Sequence, residues 1–208
     1  MGRPQLHSED AILDAARTLV LEVGARSATV TAVAETSGVP KGSIYHRFAS
    51  LDDLLAEMWI RAVRRSQGPF LEALHAPDPM TAAVEGALAL YDFAERERAD
   101  ARLLAALRRE DLIERVDSRR LRRELENLNR PLAAGLGELA RRLFGRANPG
   151  NVEKTILAVV DLPMGALRRH LIRGSPLPKS LRPQLEAAVR AALFQAGATR
   201  ARRRRNDG

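Results

Sequence analysis

GVPKGSIYHRF, Gly38 to Phe48, is the stretch on which the fold turns. Gly38, Pro40 and Gly42 are turn residues, yet Ile44, Tyr45 and Phe48 fall at the spacing of one helix face. Both signals hold if a tight turn ends at Pro40, which suits the first turn of a helix, and a short helix runs on through Phe48. Upstream, Thr29 is a cap candidate. Val30, Val33 and Ala34 then predict a short helix that ends at Gly38. Two helices crossing steeply over a three- or four-residue turn need a small residue at the crossing and an apolar lock in the second helix. They also need a turn residue that tolerates positive φ. Ala34, Ile44 and Gly38 supply these, and Val33 and Val39 add apolar packing.

Working outward, Ser8 can cap a first helix with Glu9 and Asp10 in its positive first turn. Ile12, Leu13, Ala16, Leu19, Val20 and Val23 recur at three and four, and Gly24 stops the run. Helices as short as the next two are unstable alone in water, so residues 1–50 are expected to be one trihelical unit. Ser50 with Asp53 resembles a capping box and opens a longer helix with Leu54, Leu55, Met58, Trp59, Ala62 and Val63. Gly68-Pro69 and Pro77-Asp78-Pro79 are read as interruptions. Further helices are predicted from about 80 to 97, through Leu103, Leu104 and Leu107, over 118–144 with a break at Pro131, after the loop Asn148-Pro149-Gly150 to about Arg173, and from Ser180 to about Gln195. There is no internal repeat. Residues 51–198 form a second, helical domain, and 199–208, with the run RARRRR, a disordered tail.

Composition agrees with an all-α chain. Alanine, leucine and arginine dominate, and β-branched runs are scarce. The 208 residues include no cysteine, which excludes disulfides, thiolate metal sites and a cysteine nucleophile. No apolar run approaches the roughly 18 residues of a membrane span, and the polar, acidic start does not read as a signal peptide. A soluble cytoplasmic protein with no membrane partner is expected. The net charge of +8 does not single out one element. In the first fifty residues Arg3, Arg17, Arg26, Lys41 and Arg47 are balanced by Glu9, Asp10, Asp14, Glu22 and Glu35.

Once Ile44 locks the second helix down, Lys41, Gly42, Ser43, His46 and Arg47 are left exposed on it. A recognition helix enters the major groove with its N-terminal residues against base edges. Gly42 would let the backbone come close, Lys41 could donate to guanine O6 or N7, and Ser43 to several bases. Tyr45 offers a hydroxyl at phosphate distance, and Thr29 a hydroxyl and a helix N-terminus near a phosphate. Tyr45 as partly core, and Thr29 as merely a cap, are the plainer readings. Either residue could serve both roles.

The segment ATVTAVAETSGVPKGSIYHRFASLDDLLAEMW, Ala28 to Trp59, resembles the N-terminal domain of TetR-type transcriptional repressors. The pattern is a cap threonine, Ala-x3-Gly, Val, then Ile-Tyr-x-x-Phe and a leucine pair, and the likeness covers roughly Ser8 to Trp59. It implies an all-helical homodimer whose C-terminal domain binds a small-molecule effector that releases the protein from a palindromic duplex operator. It also implies that Thr31, and Lys41 to His46, face bases and phosphates. The family often has histidine just before the phenylalanine, where this chain has Arg47, with His46 one place earlier. It often has lysine at the start of the fourth helix, where this chain has Leu51.

A dimer is expected on separate grounds, because helix-turn-helix pairs read half-sites roughly 34–36 Å apart. The last two long helices are the candidates. Ile156, Val160, Leu167 and Leu171 line one face of the first, and Leu185, Ala188, Val189, Ala192 and Leu193 one face of the second. Alternatively, these faces pack only within the subunit. For an effector pocket the candidates are Trp59 and Tyr91, with Met58 and Met164 as adaptable walls and Asp161 as a polar handle, against ordinary core packing. Pro163, inside a helical pattern, should free a carbonyl one turn earlier and kink the helix.

His7, His46, His75 and His170 are scattered, and no phosphate loop, HExxH or GxSxG occurs. Neither an enzyme, a metal nor a cofactor is expected. A helical adaptor that does not bind DNA is the other alternative, and an activator remains open within the regulator class.

Overall fold

The computed structural model describes residues 9–206, with side chains described as far as Phe194. Ser8, the expected first cap, and the end of the arginine-rich tail lie outside that range. The described chain is helical, with no strand: α1 (Glu9–Val23), α2 (Val30–Ser37), α3 (Lys41–Arg47), α4 (Leu51–Ala73), α5 (Pro79–Arg96), α6 (Arg98–Ala106), α7 (Arg109–Ile113), α8 (Arg119–Asn127), α9 (Arg130–Phe144), α10 (Pro149–Ile156), a π-helical turn Leu157–Asp161, α11 (Leu162–Arg173) and α12 (Leu181–Asn206).

The chain packs as two units. The first joins the residues up to Arg64 to Ala99–Leu128. Its core is one apolar cluster that takes in Ile12, Leu13 and Ala16 of α1, Val33 of α2, Ile44 of α3, Leu54, Met58 and Trp59 of α4, Leu103 of α6, and Leu121 and Leu125 of α8. The composition changes near residue 50, but the core does not end there. The helices α1, α2 and α3 share apolar packing with α4, α6 and α8. That answers the stability problem of a seven-residue α3, since each fully buried aliphatic side chain contributes roughly 1.5–3 kcal/mol.

The second unit comprises Arg65–Arg98 and the chain from Asn129 onward. Here α5 is central, packed by α9, α11, α12 and the π-helical turn. Asp78 caps α5, accepting from the Thr81 amide at 2.7 Å and its hydroxyl at 2.8 Å, which holds the Asp78 carboxyl below the ordinary carboxylate range. Tyr91 on α5 is buried, and burial pushes its hydroxyl above the usual phenol value.

Three interruptions expected from sequence differ in form. Gly68-Pro69 does not break α4, which carries Pro69 in its interior. The proline ring meets the helix at the turn of Arg65, an exposed residue, so the missing backbone donor falls on the solvent side where its loss is least costly. Pro131 ends no helix. It occupies the first turn of α9, and the break falls before it, between α8 and α9. Pro163 acts through the π-helical turn just ahead of it: the Leu162 amide bonds to the Leu157 carbonyl, five residues back, which widens the helix where the proline ring would otherwise meet the Val159 carbonyl. At the other end of the chain, the backbone of α12 runs on to Asn206, through most of the stretch read as a disordered tail. Alanine and arginine are both strong helix formers, and they continue a helix that is already nucleated.

Candidate nucleic-acid interface

Thr29 has extended backbone geometry, φ −136° and ψ 152°, and its hydroxyl accepts from the Ala32 amide at 3.1 Å. It is therefore a cap, as an N-terminal threonine should be, and its side chain remains exposed. Thr31, two residues on, is also exposed. α2 ends at Gly38, which takes φ 68° and ψ 14°. That is the left-handed geometry that a side chain would strain.

Val39 is 1% exposed and drops into the core, and Pro40 then starts α3. The Pro40 carbonyl accepts from the Ser43 amide at 2.9 Å and from the Ile44 amide at 3.2 Å. Ile44 is 1% exposed and Phe48 4%, so α3 is pinned at its middle and its end. The Phe48 amide closes the helix on the Ile44 carbonyl at 2.9 Å. Everything else on α3 is turned outward. Tyr45 is 56% exposed, Lys41, Gly42, His46 and Arg47 are exposed, and Ser43 is half-buried. No atom lies within 4 Å of where a Cβ on Gly42 would stand, so the space above it is open. Arg47 folds its guanidinium along the same face, with Nη1 donating to the Ser43 carbonyl at 3.2 Å.

This arrangement offers a short helix that carries a hydroxyl, a phenol, an imidazole and two cations outside its buried Ile44–Phe48 edge. Chemically it suits hydrogen bonding to base edges and phosphates. Leu51, at the start of α4, is half-buried against the core and offers no charge there. The first-turn carboxylates of α4 are turned to the α7–α8 region. Asp52 pairs with Arg115 at 2.6 Å, and one turn further on Glu57 pairs with Arg120, while the amide of Asp53 donates to Ser50 Oγ at 3.1 Å. The Asp53 carboxylate does not complete a capping box. Instead it accepts from the Ser118 amide, at the start of α8.

The other candidate residues divide between the units. Met58 and Trp59 are buried in the first unit, and the Trp59 indole N–H has no acceptor among the described residues. Tyr91 is buried in the second unit. Met164 is half-buried there, while Asp161 is exposed and lines a groove of about 570 Å³ with Ala147, Pro149, Val152, Glu153, Ile156 and Leu157.

Of the nine dimer candidates, Leu167, Leu171, Leu185, Val189 and Leu193 are buried within the chain, so they are already covered by its own helices. Ile156, Val160 and Ala192 are half-buried, and Ala188 is exposed. The apolar side chains that α11 and α12 and the preceding turn leave uncovered are different ones: Leu157 (51% exposed), Leu162, Ile172 (55%) and Phe194 (75%). Sequence reasoning missed them because it followed the richer stripe. The available signal was that Ile172 and Phe194 each stand one residue past it. Among the described residues, no group of three or more His, Cys, Asp or Glu side chains could hold a metal ion, and no helix is long and apolar enough to cross a membrane.

Residues 12–58 match the family model of bacterial regulatory proteins, tetR family. No curated protein resembles the chain closely enough in sequence to match it. The fold is similar to that of the TetR family transcriptional regulator PfmR from Thermus thermophilus, with a TM-score of 0.69 at 20% identity over 88% of this chain and 97% of that one. It is similar to a putative transcriptional regulator from Pseudomonas aeruginosa, with a TM-score of 0.73 at 17% identity over 94% and 92%. It is also similar to the ketosteroid transcriptional regulator KstR2 of Mycobacterium tuberculosis, with a TM-score of 0.66 at 18% identity over 92% and 96%. At such identities the likeness shows a shared fold.

Proposed function

We propose that this chain, a member of the TetR family of DNA-binding transcriptional regulators through residues 12–58, is a ligand-responsive repressor that binds a palindromic operator as a homodimer and leaves it when a small molecule binds. The observation that carries the DNA-reading part is α3 itself: a seven-residue helix anchored by Ile44 and Phe48, with Lys41, Tyr45, His46 and Arg47 all exposed. In this reading Lys41 and Ser43 meet base edges, Gly42 lets the backbone approach, and Tyr45, Thr29, Thr31, His46 and Arg47 meet phosphates or the groove wall.

Two heads are needed because one short helix contacts too few base pairs, and a dimer presents two at roughly 34–36 Å. The exposed Leu157, Ile172 and Phe194 support a second copy seated on the outer faces of α11 and α12, alongside Ala188. For the effector, the buried Trp59 N–H without an acceptor among the described residues supports a ligand that brings one. Such a ligand must favour the released state over the bound state. Moving a two-state equilibrium from 1:99 to 99:1 takes about 5.5 kcal/mol of differential binding, and operator DNA must then weaken ligand binding by the same factor.

Selection of bound duplexes from a random pool tests the reading. It should return two inverted half-sites about one helical turn apart, bound with a steep salt dependence. Recovery of no preferred sequence would overturn it in favour of a helical protein that does not read DNA.

A further inference from the structure

The first unit holds a chain of charges that the DNA-reading surface does not use. Asp10, Asp14 and Arg17 form one stripe on α1, on the side that meets α4 and α6. Arg17 reaches α6: its Nη1 donates to Asp100 Oδ1, and the Asp100 side chain is only 1% exposed. The other terminal nitrogen of Arg17 pairs with Asp14 at 3.2 Å. Asp14 in turn accepts from Nη2 of Arg61 on α4. Arg61 Nη1 bonds to the Asp10 carboxylate at 2.5 Å and to the Asp10 carbonyl at 3.2 Å. Both arginines are largely buried, and the Nε of each is buried without a partner among the described residues.

We propose that this relay, Asp100–Arg17–Asp14–Arg61–Asp10, sets the angle at which α1, and with it α2 and α3, is held on α4 and α6, and so fixes the separation of the two recognition helices in the dimer. The physical argument is one of direction. Around the relay, α1 is held by Ile12, Leu13, Ala16 and Val20, whose packing is strong but non-directional. Among the relay's carboxylates only Asp100 is buried; Asp14 and Asp10 are 46% and 65% exposed, so their ion pairs add little stability. The buried Arg17–Asp100 pair gains little over apolar packing of the same volume, and the two unbonded buried N–H groups make the network less favourable still. What it does supply is fixed geometry, because a guanidinium fork donates to carboxylates best in its own plane. A network that is a poor source of stability and joins the reading head to two further helices is well suited to positioning.

The inference rests on the proposed reading of a dimer on paired half-sites, and one experiment separates the two. Selection from random duplexes is run on full-length wild type, Asp100→Asn, Asp14→Asn, and an apolar double variant Arg17→Met with Asp100→Leu, with folding followed by circular dichroism. Wild type should return one half-site separation. Asp100→Asn and Asp14→Asn should return the same half-site sequence with separations spread over two or more neighbouring values, and should bind the wild-type site at least about tenfold more weakly. The apolar double variant should fold as well as wild type and still show the spread. A single unchanged separation in Asp14→Asn and the apolar double variant would overturn the relay's role, even if Asp100→Asn failed to fold. A wild type that selects no paired half-sites would overturn the underlying reading instead.

Discussion

Asp53 shows how one side chain can cost the fold something at neutral pH. It lies in the first turn of α4, buried, with Oδ1 lacking a partner among the described residues. Burial pushes its carboxyl above the ordinary value near 3.8. The Ser118 amide opposes that, and the charges of Asp117 and Glu57 add to it. The folded state therefore holds this proton more tightly than the unfolded chain does. The stabilisation from Asp53 is full below the unfolded value and is lost as pH rises through the folded one. Asp53→Asn is accordingly expected to be more stable than wild type at pH 7, with the difference shrinking as pH falls towards 4. Urea unfolding across that range measures it, and an advantage that grew on acidification would contradict the sign.

At the scale of the helix, glycines separate propensity from packing. Gly137 stands in the interior of α9 with no atom within 4 Å of where a Cβ would stand, whereas a Cβ at Gly86 in α5 would meet Leu74 Cδ2 at 2.8 Å and Val159 Cγ1 at 3.4 Å. Gly137→Ala should stabilise by about 0.5–1 kcal/mol through helix propensity alone. At Gly86 the same gain is opposed by overpacking that costs about 1–3 kcal/mol, so Gly86→Ala should lower the thermal midpoint while Gly137→Ala raises it. The helices were legible in the sequence where their signals are local. Gly38 carries its own left-handed φ, Ile44 its own spacing, and Thr29 its own cap. What sequence could not rank was which of two faces goes inside. Leu167, Leu171, Leu185 and Val189 form the longer stripe, and the chain buries it within itself, leaving Ile172 and Phe194 outside. Nor could sequence show that the core around Ile12 and Met58 recruits Leu103 and Leu121 from far along the chain.

For the molecule as a whole, the uncovered apolar side chains of α11 and α12 connect fold to function. If a second copy covers Ile172 and Phe194, replacing both with glutamate places unpaired charge in the interface while leaving each subunit's own core intact. Sedimentation should then show a monomer with unchanged helical content and operator binding weakened by about 100-fold or more, because half-site affinity alone remains. A variant that stays dimeric would move the interface elsewhere.

The most direct test concerns α3. Lys41→Ala, Ser43→Ala and Tyr45→Ala, combined in one full-length variant, remove polar atoms from its outward face and leave Ile44 and Phe48 in the core. Each good base contact contributes roughly 1–3 kcal/mol of discrimination. The variant should therefore keep wild-type helicity and assembly while its affinity for the selected duplex, measured by fluorescence anisotropy at fixed salt, falls by at least about 100-fold. A correctly folded triple variant that binds this duplex as tightly as wild type would contradict the assignment of α3 as the helix that reads DNA.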